Sequence, residues 1–184
     1  MEAGLGGGSS NAGGIISVLT EKYNLSMPTY KEIAINIGSD VPFFITGKPA
    51  NITGIGDIVN PEDLQKDIHM ILVVPNEKIS TTDAFSKFDE LNQENLDVSE
   101  HGDLKIFNDF WIPAYTLEPE LLKIKNNLES LTNLDFNLSG SGSSLFSLGD
   151  PEELNKKIDL IDLNQFKLVK LVKKIDFSFE TISD

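Results

Sequence analysis

The sequence of 184 residues contains no cysteine and only two histidines. Without cysteine there is no disulfide framework and no thiolate chemistry, and His69 with His101 does not form a cluster spaced for structural zinc. No apolar run approaches the roughly 20 residues that span a bilayer, and the N-terminus lacks the basic-then-apolar order of a signal peptide. We therefore expect a cytoplasmic protein without a membrane partner.

Arginine is also absent, because all fifteen basic residues are lysine, and the formal net charge is -14. Nucleic-acid surfaces need clustered positive charge, so DNA and RNA partners are disfavoured. Without arginine, no guanidinium group can hold a phosphate through two parallel hydrogen bonds. A phosphorylated ligand would instead be neutralised by lysine, by Mg²⁺ or by backbone amides.

Glycine, by contrast, is concentrated near the N-terminus, in a segment made of Gly4, Leu5, Gly6, Gly7, Gly8, Ser9, Ser10 and Asn11. Glycine permits positive φ and leaves space for a ligand, so successive N–H groups can converge on anionic oxygens at a helix N-terminus. Ser9 to Asn11 are suitable N-cap residues, and an apolar stripe at helical spacing follows: Ala12, Ile15, Ile16, Leu19 and Tyr23. A flexible linker is the alternative, but linkers do not usually run into such a stripe. We predict a phosphate-binding loop.

Two better-known phosphate motifs do not fit this segment. A Walker A loop needs a lysine directly after its last glycine, whereas Ser9 follows Gly8 and the first lysine is Lys22. A Rossmann fingerprint needs a third glycine where Ser9 stands and a strand before Gly4. P-loop and dinucleotide-binding folds are therefore disfavoured.

The remaining pattern predicts an α+β protein with a boundary near residue 67. Before it, Pro28 to Gly38 is helical, and the chain from Gly38 through Ile45, Ile52 and Ile58 is extended with glycine turns. After it, Met70 to Val74 is a buried strand. Further helices are predicted at 81–88, 118–131 and 152–158, strands at 135–138, 145–148 and 166–175, and a polar loop at 91–102. One face of the helix at 118–131 is predicted to be core, through Leu121, Ile124, Leu128 and Leu131.

Three motifs occur in order: the glycine-rich segment, the turn Gly38-Ser39-Asp40-Val41-Pro42-Phe43-Phe44, and the loop Ser139-Gly140-Ser141-Gly142-Ser143-Ser144. Each alone is an ordinary turn. Together they resemble the GHMP kinase superfamily, whose second and third sequence motifs are a glycine-rich phosphate loop and a later Gly/Ser loop. With Gly54-Ile55-Gly56-Asp57 and Asn108-Asp109, the resemblance narrows to the 4-diphosphocytidyl-2-C-methyl-D-erythritol kinase family and spans nearly the whole chain.

This resemblance implies a fold and an activity. Residues 1–67 would be the remainder of a ribosomal protein S5 domain 2-like domain, and residues 68–184 a ferredoxin-like C-terminal GHMP kinase domain. The implied reaction is ATP-dependent phosphorylation of the 2-hydroxyl of diphosphocytidyl methylerythritol, a step of the non-mevalonate isoprenoid pathway. The partner would be this small molecule, and the oligomeric state is left open. Alternatives are another GHMP kinase, for mevalonate, homoserine or galactose, or a non-catalytic nucleotide-binding module.

The resemblance also assigns residues by matching position. Gly4 to Asn11 would bind ATP, Ser10 would contact Mg²⁺, and Asp40 would be the general base or orienting group. The substrate side would be formed by Ser139, Gly140, Ser141, Gly142 and Ser143, with Ile106 and Phe107 in apolar contact with the cytosine ring.

One part of the family pattern has no counterpart in the sequence. The phosphate loop of this family lies well inside the chain, after a strand-rich segment that supplies a catalytic lysine and parts of both pockets. Met1 matches an internal methionine of that pattern. We therefore expect the chain to be an N-terminally truncated piece with impaired activity.

Overall fold

A computed structural model describes residues 3–63, 67–92 and 98–175. The chain divides into two compact units. Among the described residues, unit 1 takes in 6–63 and Ile175, and unit 2 takes in 3–5, 67–92 and 98–174. The glycine-rich segment therefore passes from one unit to the other between Leu5 and Gly6.

The described residues of unit 1 form three helices followed by a β-hairpin. Its elements are α1 (Gly7–Tyr23), α2 (Met27–Ile37), α3 (Val41–Thr46), β1 (Ala50–Thr53) and β2 (Ile58–Pro61). The two strands pair antiparallel around a turn in which Gly54 and Gly56 have positive φ. The buried core is small and is formed by Ile16, Ala34 and Val41.

A glycine sets the close packing of α1 on α3. A Cβ atom built on Gly13 would lie 2.8 Å from Cβ of Phe44 and 3.2 Å from the backbone nitrogen of Ile45. Since real Cβ atoms do not approach other atoms so closely, only glycine allows the two helices this separation. The opposite side of α1 is largely open, because Ile15, Leu19 and Tyr23 are exposed. The predicted apolar stripe is therefore only partly core.

Unit 2 is a mixed α/β unit around an antiparallel sheet with the strand order β6-β7-β3-β8. In chain order its elements are β3 (His69–Val74), α4 (Thr81–Leu91), β4 (Ser99–His101), β5 (Leu104–Ile106), α5 (Trp111–Leu117), α6 (Glu120–Thr132), β6 (Asn137–Leu138), β7 (Leu145–Gly149), α7 (Pro151–Ile158) and β8 (Leu168–Lys173). The central strand β3 places Ile71 opposite Ser147 on one side and Leu171 on the other. Because strand side chains alternate, Ile71 and Val73 share one buried face.

The core of unit 2 joins that sheet face to the helices. Leu121 and Leu128, seven residues apart on α6, are fully buried beside Phe136. Leu154 of α7 is equally buried, and α7 starts at a defined point because Asp150 accepts hydrogen bonds from the backbone N–H groups of Glu152 and Glu153.

The predicted helix at 28–38, the strands at 70–74 and 145–148 and the helix at 152–158 are confirmed to within a few residues. The extended conformation predicted through Ile45 is wrong, because Val41–Thr46 is a helix with proline in its first turn, a position that proline favours. The prediction of a polar loop at 91–102 is wrong for residues 99–101, because they form β4, which pairs with β5. Residues 93–97 of that prediction lie outside the described residues. Leu131 was expected in the core but is 46% exposed, and α5 was not predicted.

Candidate functional site

The glycine-rich segment contains a bend followed directly by a helix. Gly4 and Gly6 have φ of 66° and 61°, in the left-handed region that glycine favours, and α1 begins at Gly7. Residues Gly7 to Asn11 are therefore the first turns of the helix and not a loop. The expectation that Ser9, Ser10 or Asn11 caps the helix is wrong, because Gly6 is the N-cap and no side chain accepts a capping hydrogen bond.

The start of α1 is open to an anion. The first N–H groups of a helix have no intrahelical acceptor, and a helix carries partial positive charge at that end. Cβ atoms built on Gly7 and Gly8 would meet nothing within 4 Å, and the first turn contains no acidic residue. Ser10 lies one turn on, where its hydroxyl donates to the Gly7 carbonyl at 3.1 Å. Backbone amides are thus the principal groups that this helix start offers to an anionic ligand.

Asp40 lies at the N-cap of α3 and is exposed. Its carboxylate does not cap the helix, unlike the aspartate at the start of α7. The neighbouring hairpin turn supports its backbone: Gly56, with φ of 98°, approaches Ser39 so closely that a Cβ atom would lie 2.4 Å from the Ser39 carbonyl oxygen. The motif at 54–57 therefore holds the turn that carries Asp40.

Phe44 links the start of α1 to the helix that follows Asp40. A Cβ atom built on Gly6 would lie 2.6 Å from Cζ of the Phe44 ring, so the ring packs directly on this glycine. Phe44 is one turn from Asp40, and its N–H donates to the Asp40 carbonyl at 3.4 Å. Within unit 1, the structure therefore connects two of the predicted site segments through one aromatic side chain.

The third predicted segment, residues 139–144, joins β6 to β7 in unit 2, and we term it the Gly/Ser loop. Two backbone hydrogen bonds shape it, from the Ser139 N–H to the Ser144 carbonyl at 2.9 Å and from the Gly142 N–H to the Ser139 carbonyl at 3.0 Å. Ser143 is buried, and its hydroxyl donates to the Glu77 carbonyl at 2.5 Å. Ser141 shares a hydrogen bond of 3.2 Å with the hydroxyl of Thr81.

Ala3 and Gly4 pack against the Gly/Ser loop within unit 2. The Ser139 hydroxyl donates to the Gly4 carbonyl at 2.8 Å, and the Ser144 N–H donates to the Ala3 carbonyl at 3.2 Å. A Cβ atom built on Gly4 would lie only 2.1 Å from the Ser139 carbonyl oxygen. The start of the glycine-rich segment is thus in contact with a loop that follows it by 135 positions.

In the sequence, Asn108 belongs to the family resemblance but has no predicted role. In the structure its side-chain Nδ2 donates to the carbonyls of Leu138 and Gly140, at 2.9 and 2.8 Å. Nothing in the sequence around Asn108 signals this contact with a loop 30 residues away.

Ile106 and Phe107 lie at the end of β5. Ile106 pairs with Ser99 and lines a cavity of about 190 Å³ together with His101 and Asn137, whereas the Phe107 side chain is 61% exposed. An exposed aromatic ring is available for stacking on a planar group.

Metal ligands are sparse in these segments. Across residues 3–63, 67–92 and 98–175, no group of three or more His, Asp or Glu side chains could hold a metal ion. In the same ranges no helix is both long and apolar enough to cross a membrane.

No family model matches the chain, but individual proteins do. It is 40% identical over 167 residues to a 4-diphosphocytidyl-2-C-methyl-D-erythritol kinase of Bacteroides fragilis, covering 85% of this chain and 61% of the relative. The kinase of the same name from Persephonella marina is 35% identical over 182 residues, covering 92% of this chain and 65% of the relative. The kinase of the same name from Francisella philomiragia is 33% identical over 185 residues, covering 98% of this chain and 60% of the relative.

A solved structure has the same fold. The crystal structure of a 4-(cytidine 5'-diphospho)-2C-methyl-D-erythritol kinase superposes with a TM-score of 0.71 at 23% identity, covering 94% of this chain and 66% of the other. The relatives are kinases, and the chain is related to them along most of its own length. The motifs predicted this particular family, the 4-diphosphocytidyl-2-C-methyl-D-erythritol kinases, and the similarity confirms the resemblance. The chain spans about 60% of the length of the curated relatives it matches.

Proposed function

We propose that the protein takes part in phosphoryl transfer from ATP to the 2-hydroxyl of 4-diphosphocytidyl-2-C-methyl-D-erythritol. One observation carries the proposal: the open, side-chain-free start of α1 occurs in a chain 40% identical to a kinase named for this substrate. Such a helix start favours the anionic oxygens of a nucleotide.

In this proposal the ATP phosphates lie against the segment from Gly4 to Asn11, with the N–H groups after Gly6 as the principal donors. Asp40 accepts the proton of the 2-hydroxyl as that oxygen attacks the γ-phosphorus, and the bond to the β-phosphate oxygen breaks to release ADP. Its exposed carboxylate, which does not cap α3, is available for this role. Positioning and charge neutralisation supply most of the rate in reactions of this class.

The residues present fit a magnesium ion held chiefly by phosphates and water. Mg²⁺ prefers oxygen ligands and is usually bound through one or two protein groups together with substrate phosphates. Ser10 offers one hydroxyl next to the open helix start. The ion would neutralise phosphate charge that a chain without arginine leaves uncompensated.

We assign contact with the acceptor substrate to the Gly/Ser loop with Ile106 and Phe107. Within the set from Ser139 to Ser143, we assign substrate contact to Gly140 and Ser141. Ser139 and Ser143 already donate to backbone carbonyls, and Gly142 is buried. Phe107 is the better of the two apolar candidates for a ring contact because it is exposed.

We also propose the two-domain architecture implied by the family, with an S5 domain 2-like part at 1–67 and a ferredoxin-like part at 68–184. The second assignment is supported by the alternation of strands and helices in unit 2 and by its sheet order β6-β7-β3-β8. The division of the described residues into two units near Asp67 supports the boundary.

The test is the variant Asp40→Asn, assayed for transfer of phosphate from ATP to 4-diphosphocytidyl-2-C-methyl-D-erythritol. We expect kcat to fall about 10²- to 10⁴-fold, because a neutral amide accepts no proton, while ATP affinity stays within about twofold. Asp159→Asn, at the exposed end of α7, removes the same charge and should leave kcat unchanged.

Full turnover by Asp40→Asn would refute the assigned base. Transfer to mevalonate, homoserine or galactose in preference to the diphosphocytidyl compound would refute the proposed acceptor substrate. ATP binding without transfer to any of these acceptors would favour a non-catalytic nucleotide-binding module.

A further inference from the structure

The Asn108 side chain makes a hydrogen-bonding arrangement that only a carboxamide can satisfy. Its Nδ2 group donates to two carbonyls, those of Leu138 and Gly140, while its Oδ1 accepts from the Phe110 N–H at 2.9 Å. A carboxylate has no hydrogen to donate, and the reversed amide would place oxygen against both carbonyls and NH₂ against an N–H. The three bonds therefore fix both the identity and the orientation of this side chain.

The two bonds from Nδ2 lie on either side of Ser139 in the chain. The two carbonyls that Asn108 holds belong to the residues directly before and after it, so the backbone at Ser139 is fixed from both sides. Its hydroxyl is then directed at the Gly4 carbonyl, 2.8 Å away. Ser139 is half-buried, so this bond is partly shielded from competing water.

Gly4 fits this one arrangement of the loop closely. Besides the 2.1 Å approach to the Ser139 carbonyl oxygen, a Cβ atom on Gly4 would lie 2.8 Å from the Gly142 carbonyl oxygen. In return, a Cβ atom on Gly140 would lie 3.1 Å from the Gly4 carbonyl oxygen. A change in the loop backbone at Ser139 or Gly140 must therefore move Gly4.

We propose that Asn108 and Ser139 are positioning residues. The Asn108 amide fixes the backbone of the Gly/Ser loop, and the Ser139 hydroxyl, through its hydrogen bond, fixes the position of Gly4, where the glycine-rich segment begins. If the proposed function holds, the segment that begins at Gly4 is the one against which the ATP phosphates lie, and only this consequence rests on the proposed function. The coupling itself lies in the hydrogen bonds of unit 2.

The test compares Asn108→Asp with Asn126→Asp in the full 184-residue chain. Asn126 is exposed on α6, so the control introduces the same charge away from the loop. In Asn108→Asp we expect the Ser144 N–H, which donates to Ala3, to exchange about ten- to a hundredfold faster with solvent. The NMR amide resonance of Gly4 should shift in Asn108→Asp and stay in place in Asn126→Asp.

The pH dependence of amide exchange in Asn108→Asp distinguishes loss of the Asn108 hydrogen bonds from a general loss of packing. At acid pH the introduced carboxyl is protonated and can donate one of the two lost hydrogen bonds, whereas the carboxylate at neutral pH repels both carbonyls. The acceleration of Ser144 exchange, corrected for the intrinsic rate, should therefore be greater at neutral than at acid pH. A pH-independent acceleration would overturn the role given to the amide hydrogens.

Ser139→Ala provides a second, milder variant that keeps the test decisive if Asn108→Asp does not fold. It removes only the hydroxyl bond to Gly4, so we expect the Gly4 resonance to shift while amides of β3 keep their protection. An unchanged Gly4 resonance in Ser139→Ala would overturn the proposal. No readout uses ATP or an acceptor, so the result is independent of the proposed reaction.

Discussion

The two units of this protein are stabilised in different ways. Unit 2 contains a continuous buried cluster formed by Ile71, Val73, Ile79, Ala84, Trp111, Ala114, Leu121, Leu128, Phe136, Leu138, Leu145, Leu154 and Ile161. The buried cluster of unit 1 is Ile16, Ala34 and Val41. Hydrophobic stabilisation grows with buried apolar area, so unit 2 should contribute most of the stability.

Unit 1 relies instead on close backbone packing at glycine. Gly13 against Phe44 and Gly56 against Ser39 place α1 and Asp40 at separations that no side chain would permit. The proposed phosphate and base positions are therefore set by the absence of side chains, whereas the sheet of unit 2 is stabilised by buried side chains.

The largest effect should come from the core of unit 2. We expect Leu121→Ala to lower the free energy of unfolding by about 3–5 kcal/mol, because Leu121 is fully buried and its removal leaves a cavity. Leu122, the next residue on α6, is 39% exposed, and Leu122→Ala should cost less than about 1 kcal/mol. Urea denaturation measures both, and equal losses would contradict the assigned core.

The next effect tests close packing at glycine. Gly4→Ala should cost about 2–4 kcal/mol, from the left-handed φ and from the clash with the Ser139 carbonyl. Gly7→Ala is the matched control, because α1 begins there with open space around the position. Thermal or urea unfolding should show it to be neutral or slightly stabilising. A neutral Gly4→Ala would show that the close contact is not required.

The small core of unit 1 should give a smaller loss. Ile16→Ala is expected to destabilise by about 2 kcal/mol, the lower end for such substitutions, since a core of few residues can relax around the cavity. Ile15→Ala, at a 62% exposed position, should change stability by less than about 0.5 kcal/mol. Residue-resolved hydrogen exchange in α1 would detect both. A loss at Ile16 as large as that at Leu121 would break the contrast between the units.

The smallest effect concerns a carboxylate of unit 2. Asp162 accepts hydrogen bonds from the backbone N–H of Asn164 and from the Gln165 side chain, and these lower its pKa from the ordinary 3.8. A lowered folded-state pKa contributes stability above the unfolded value, which is lost as pH falls through the folded one. In an NMR titration we expect this pKa to lie below 3.8 in the folded chain and to return to the ordinary value in urea. Gln165→Ala should raise it part of the way.

Local signals predicted much of the fold. The helix from Met27 ends at Ile37, directly before Gly38, and the helix from Pro151 is capped by Asp150, a residue type that favours this position. The prediction failed where extended propensity was opposed by a proline position and by tertiary packing. Aromatic and β-branched residues in Val41–Thr46 favour extended structure, but proline in the first turn and packing of Phe44 on α1 favour the helix.

The candidate site was predicted as motifs and not as contacts. The glycine-rich segment and the Gly/Ser loop could be picked out because each is a short run of unusual composition, whereas Asp40 was assigned only through the family resemblance. The role of Asn108 could not, because one asparagine has no local signature, and its hydrogen-bond acceptors lie 30 and 32 residues away.

The order of the motifs and the family resemblance depend on residue type and near neighbours alone, so both could be predicted from the sequence. The tertiary structure decided what each glycine faces: open space at Gly7 and Gly8, the Phe44 ring at Gly6, and the Gly/Ser loop at Gly4. The physical reason is that a missing Cβ atom permits a close approach without specifying the partner. Only packing between distant parts of the chain supplies that partner.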